Sequence, residues 1–227
     1  MAELAKLAVV SSMSLIRDYK DEQGSSVKTY EEELDQLEDA LGTFLIKLSA
    51  CEISAEESNE VSQMLHSITD LERMGDHALN IAESAEQING KHLHFSQEAR
   101  SELTTLEAAL SEILSITVTA VENEDLELAE SVEPLEEVID DLTDEIRSRH
   151  IERLQAGTCS IELGFILSDL LSNYERISDH CSNLAACLIQ TQHASFGTHN
   201  YLDEIKTGNQ PNFVSAYQMY SQKYRLA

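Results

Sequence analysis

Apolar residues recur at helical rather than strand spacing along nearly the whole chain. Leu4, Leu7, Ala8, Val10 and Ser11, then Ser14 and Leu15, keep a period of about 3.6 and predict a first helix to about residue 20. Residues 21–26, with Gly24 and two serines, predict a break. A second helix is expected from about residue 27 to 48, with Leu34, Leu37, Leu41, Phe44, Leu45 and Leu48 on one apolar stripe. Ser54 followed by Glu57 is a capping-box signature that opens a third helix. Its core positions are Val61, Leu65, Ile68, Leu71, Ala78, Ile81 and Ala85, and Asn89-Gly90 stops it.

Ser96 opens a fourth helix that ends near Asn123, and a fifth is expected from about residue 125 to 154, stopped by Gly157. Pro134 falls inside the fifth, so that either this helix kinks there or a helix truly begins there; a kink is the expectation. The sixth spans about residues 160–192. A tail from Ser195 contains Gly197, Gly208 and Pro211, then a short aromatic-rich helix around Phe213, Tyr217, Tyr220 and Tyr224.

These elements repeat. Leu71-Glu72-Arg73-Met74-Gly75-Asp76-His77 recurs as Tyr174-Glu175-Arg176-Ile177-Ser178-Asp179-His180, an offset of 175 − 72 = 103. Asn80 and Asn183 each follow four residues after the aspartate. On the preceding helices Glu31, Asp35 and Asp39 correspond to Glu136, Asp140 and Asp144, an offset of 136 − 31 = 105. Two segments that agree this closely imply a tandem duplication. The fold class expected is all-α: two three-helix units, residues 1–92 and 93–195, and a helical C-terminal tail, 196–227.

Composition narrows the function. Apolar residues make up 42% of the chain, enough for a packed core, and only 8 Gly and 2 Pro interrupt it. The formal net charge of −27 repels nucleic acid and an anionic membrane face alike. So many carboxylates also repel one another in a compact state, and bound cations relieve that repulsion. The four cysteines, Cys51, Cys159, Cys181 and Cys187, form no C-x-x-C pair and read as reduced, mostly buried thiols. No uninterrupted apolar run approaches the ~20 residues of a membrane span.

The candidate chemistry is acidic. On a helix, i and i+4 share a face, so Glu72 and Asp76 present two carboxylates together, with Asn80 extending the row. Glu31, Asp35 and Asp39 form a comparable ladder on the helix before. Two such helices side by side gather four or more carboxylates, which raise one another's pKa or demand a cation. Oxygen ligands suit Mg²⁺, Ca²⁺ or Mn²⁺, and carboxylate clusters also hold iron or zinc. A solvated acidic face is the plain alternative. Arg73 and Arg176 are expected to pair with carboxylates of neighbouring helices. His77 and His180, one step around the helix from the aspartates, point partly away from them. No phosphate-binding glycine loop, nucleophile elbow or zinc-protease motif is present. None of the eight histidines has a glutamate three residues before it, so a ferritin-like di-iron site is excluded. An enzyme is not expected.

The paired Glu-Arg-x-x-Asp-His segments at 72–77 and 175–180 resemble the duplicated acidic motifs of PhoU proteins. The resemblance covers about residues 1–195 and implies two three-helix bundles that bind iron or zinc clusters and regulate phosphate uptake and signalling. Carried over to this chain, Glu31, Asp35, Glu72 and Asp76 form one metal site, and Glu136, Asp140, Glu175 and Asp179 the other. Three further stretches resemble the cytoplasmic C-terminal domain of bacterial sodium/phosphate cotransporters. They are Arg149-His150-Ile151-Glu152-Arg153-Leu154 leading to Gly157 and Cys159; the run NYERISDHCSN from Asn173 to Asn183; and His199-Asn200-Tyr201-Leu202 ahead of the tyrosines. That resemblance implies a membrane-embedded sodium/phosphate transport unit as partner, on the cytoplasmic side of the inner membrane, with phosphate-signalling proteins and self-association as further contacts. A free-standing phosphate-uptake regulator and a metal-free helical scaffold are the competing expectations. The chain departs from the PhoU pattern at Asn173, where the first repeat has Asp70.

Overall fold

The computed structural model describes residues 1–192 and 211–227, and within them the chain is helical without strands. The helices are α1 (Ala2–Arg17), α2 (Asp21–Ser49), α3 (Ala55–Gly90), α4 (Gln97–Asn123), the single turn α5 (Leu126–Ala129), α6 (Val132–Gln155), α7 (Ile161–Gln192) and α8 (Pro211–Lys223). The tail segment His199–Leu202 lies outside the described residues, as do Ser195, Gly197 and Gly208.

The capping signals act where they were read. Ser54 and Glu57 form the reciprocal capping box at the start of α3. Ser96 accepts the Ala99 N–H at the start of α4. Two expectations are overturned. The first turn of the chain falls at residues 18–20, and α2 begins at Asp21 and runs straight through Gly24. There the glycine lets α2 approach Tyr19, whose hydroxyl would lie 3.3 Å from an added Cβ. Pro134 does not kink a long helix either: it occupies the first turn of α6, where its missing N–H removes no helical bond. The polypeptide makes a separate turn, α5, before it.

α1, α2 and α3 pack on one another, as do α4, α6 and α7, and the two groups meet along α3 and α7. Those two helices run antiparallel, because Ser67 meets Cys187, His77 meets Asn173, and Lys91 meets Glu162. α1 also touches α4. There Arg17 pairs with buried Glu107 at 2.7 Å, and Glu107 accepts the hydroxyl of fully buried Tyr174 at 3.1 Å. Burial pushes the Glu107 carboxyl above its usual range despite both partners. α8 lies against α6 and ties back through Tyr217 to Asp141 and Lys223 to Glu112. Among the described residues α4 alone is long and apolar enough to cross a membrane by composition. Its apolar face, including Leu106, Leu110, Ile113 and Leu114, is packed inside the bundle. Of the cysteines only Cys181 is buried, where desolvation pushes its thiol up to about 12, while Cys51 is exposed.

Candidate metal centres

In the second repeat, α6 and α7 bring three of the four expected ligands together. Glu136, Asp140 and Asp179 each offer one oxygen, and these oxygens all lie within 4.8 Å of one another. Among the described residues no other group of three such side chains meets this closely. Glu136 and Asp140 are one turn apart on α6, and Asp179 faces them from α7. Glu136 is only 3% exposed. One turn before Glu136 on α6, buried Glu133 accepts a hydrogen bond from Ser182 of α7, so the acidic seam continues into the core. Glu175, the fourth expected ligand, is drawn elsewhere. It accepts from Arg147 at 3.1 Å, about three turns along α6 from Glu136. Asp144, the last rung of the α6 ladder, accepts from the same arginine at 2.6 Å.

In the first repeat Glu31, Asp35, Glu72 and Asp76 are close enough to feel one another. Desolvation first, then Asp76 and Asp35, holds the Glu31 carboxyl above its usual range. Glu72 is pushed up to about 7 by desolvation and by Asp76, Glu38 and Asp35, against which Arg73 acts only weakly. Glu38, absent from the sequence reading, faces α3 and accepts from Thr69 at 2.9 Å. It is one turn after Leu34 on α2, which is the signal that could have placed it at the seam. Gly75 serves helix approach here. A Cβ on it would lie 2.7 Å from Leu34 Cδ1, so α2 comes close to α3 beside Glu72 and Asp76.

The histidines belong to a different site. His77 Nδ1 lies 2.9 Å from Asn173 Oδ1 and His180 Nδ1 2.8 Å from Asp70 Oδ1, and the two rings stack with centroids 5.5 Å apart. The partners are related by the 103-residue repeat offset, so a local two-fold passes between the rings. Burial, the largest cause, holds the His77 imidazole below its usual range. Asn80 and Asn183 reach the same oxygens at 3.4 Å and so leave the carboxylate rows. The change from Asp70 to Asn173 therefore sits at the junction between repeats, away from both carboxylate groups. Arg176 lies 3.9 Å from Asp179 one turn on along its own helix, where a neighbouring helix was expected.

The donor set fits a cation. With metal–oxygen distances of about 2.0–2.6 Å, two oxygens on one ion sit up to roughly 5 Å apart, which matches the α6–α7 trio. Three carboxylates at that spacing repel strongly without positive charge between them.

The chain matches the PhoU domain over residues 1–85 and again over 103–188. It is 30% identical over 145 residues to a phosphate-specific transport system accessory protein PhoU homolog of Thermotoga maritima, covering 61% of this chain and 62% of that protein. The match thus spans less than two thirds of that relative. A PhoU homolog of Deinococcus radiodurans is 22% identical over 82% of this chain and 85% of its own length. The crystal structure of PhoU from Pseudomonas aeruginosa superimposes with a TM-score of 0.80 at 20% identity, over 86% of this chain and 93% of that one. The phosphate transport system regulatory protein PhoU from Streptococcus pneumoniae gives 0.72 over the same shares.

Proposed function

We propose that this chain, which belongs to the PhoU domain family, regulates a membrane phosphate transporter from the cytoplasmic side and holds metal ions between its acidic helices. The observation that carries the reading is the convergence of Glu136, Asp140 and Asp179 across the α6–α7 seam. In the first repeat, Glu31, Asp35, Glu72 and Asp76 would hold the second ion. Bound cations, iron or zinc first and Mg²⁺, Ca²⁺ or Mn²⁺ as alternatives, would add positive charge between the carboxylates of each seam. The carboxylates, fixed on paired helices, then couple ion occupancy to how firmly α2 grips α3 and α6 grips α7. That stiffness sets the surface offered to the transporter. No nucleophile or general base is assigned, and the role is regulatory rather than enzymatic.

The named relatives are accessory or regulatory proteins of phosphate transport systems, and they favour a free-standing regulator. A second reading, the cytoplasmic domain of a sodium/phosphate cotransporter, is favoured by one feature. α8 lies beyond the last PhoU-matched residue, 188, yet packs on α6 as part of the fold. Phosphate uptake in cells lacking the chain tests the regulatory role. Restoring the wild type should return uptake to its controlled level, and restoring a Glu136→Gln, Asp179→Asn variant should not. Equal restoration by both would refute the role assigned to the seam.

A further inference from the structure

α3 closes at His92, whose backbone takes a left-handed φ of 53°, and the Leu93 N–H returns to the Ile88 carbonyl at 2.9 Å. His92 and His94 are then exposed while Phe95 is buried. The return leaves a cavity of about 400 Å³ between the ends of α1 and α3, the connection 91–96 and the start of α4. That volume falls within the roughly 300–1,000 Å³ of small-molecule sites. α1 and α3 come from the first repeat and α4 from the second, so the cavity straddles the junction of the halves. None of the expected metal ligands lines it.

Buried Leu15, Ile88 and Leu103 supply an apolar wall. Four rings join them, those of Tyr19, His92, His94 and Phe95. The charge runs against that of the chain. Two arginines, Arg17 and Arg100, line the cavity against one carboxylate, Glu107, although the whole chain carries −27. Glu107 is already engaged: it pairs with Arg17 at 2.7 Å and accepts from Tyr174, which anchors the guanidinium at the cavity. A guanidinium carries five N–H donors, so one carboxylate leaves others for a ligand. Arg100 donates to the neutral Gln97 side chain at 3.0 Å, and among the described residues it forms no ion pair. By contrast, the groove between α4 and α6 sets Glu98, Glu102 and Glu152 against Arg149 and Arg153. The groove between α2 and α3 is lined by Glu38 and Asp39 with no lysine or arginine.

We propose that the cavity binds a small aromatic anion, with a phosphate or carboxylate head at Arg17 and Arg100. Its ring body lies against the apolar wall, where flat rings stack on the aromatic side chains. Arginine suits the head because its planar N–H fork matches two oxygens of a carboxylate or phosphate. One bound molecule then ties α1 and α3 to α4.

The test uses the full chain with chelator present, so that its outcome is separable from metal binding. The probe is naphthyl phosphate, followed by its own fluorescence anisotropy. Saturable one-to-one binding is expected, weakened about tenfold or more by Arg100→Gln and by Thr104→Phe, which fills the cavity. Both positions are exposed, and a thermal melt matching the wild type shows that each variant is folded. Naphthol, which lacks the charged head, should bind about tenfold more weakly or worse. Inorganic phosphate, which lacks the body, should not displace the probe at equal concentration, whereas naphthoate should. The inference is overturned by no saturable binding, by equal binding of naphthol, or by undiminished binding to a folded variant of either kind. Displacement by inorganic phosphate as readily as by naphthoate would overturn it too, by making the aromatic body irrelevant.

Discussion

Glu72 shows what the acidic seams cost a protein without bound cations. Its carboxyl titrates at about 7 in the fold, against an ordinary value of 4.5. A carboxylate raised in this way binds more protons folded than unfolded between those values. Its contribution to stability is therefore full below pH 4.5 and is lost as pH rises toward 7. Thermal melts in chelator should give a lower Tm at pH 7.5 than at pH 5.5, and Glu72→Gln should flatten that difference; an unchanged slope would contradict the assignment. The i,i+4 spacing made this pair visible in the sequence, but not Glu38, which reads as an ordinary surface acid until α3 is placed beside it. The histidines show the converse. His77 and His180 were legible only as pointing away, because their partners Asn173 and Asp70 come from the other repeat, 96 and 110 residues away.

Among the helices, boundaries with side-chain caps were legible from local sequence, since Ser54, Glu57 and Ser96 act within one turn. Gly24 and Pro134 misled, for opposite reasons. A glycine costs a helix only about 1 kcal/mol, which packing of α2 on α1 outweighs. A proline is tolerated in the first turn, and periodicity did not show where that turn was. Periodicity also cannot tell a covered stripe from an exposed one: Leu37 and Leu41 of α2 are 38% exposed, whereas Leu142 and Ile146, 105 residues on in α6, are buried. The two halves should therefore respond differently to truncation. Ile146→Ala should cost about 2–5 kcal/mol in denaturant unfolding, the range for a buried site. Leu41→Ala should cost clearly less, about 1 kcal/mol or below. At the tight crossing, Gly75→Ala should lose about 1–3 kcal/mol by forcing Leu34 aside. Ser178→Ala, the matching position on α7, keeps its Cβ and should lose less.

For the molecule as a whole, duplication and charge decide the design. The repeat was plain in the sequence, and with it the all-helical class; how the halves join was not. α3 lies against α7, and Arg17, Glu107 and Tyr174 link α1, α4 and α7 through one buried carboxylate. Tyr174→Phe keeps the packing but removes one hydrogen bond to that carboxylate, so it should lower unfolding stability by about 1–2 kcal/mol. Three of the four carboxylates expected in the second half do converge, and the fourth is claimed by Arg147, a competition between helices that spacing along one helix cannot reveal. The proposed regulatory role requires these seams to hold cations. Calorimetric titration of the chelator-stripped chain with Zn²⁺, Fe²⁺ and Mn²⁺, beside the Asp179→Asn variant, tests this. Saturable binding by the wild type, with the α6–α7 site lost in the variant, is the expected result. No binding of any of these ions, or the same number of sites in both proteins, would contradict it.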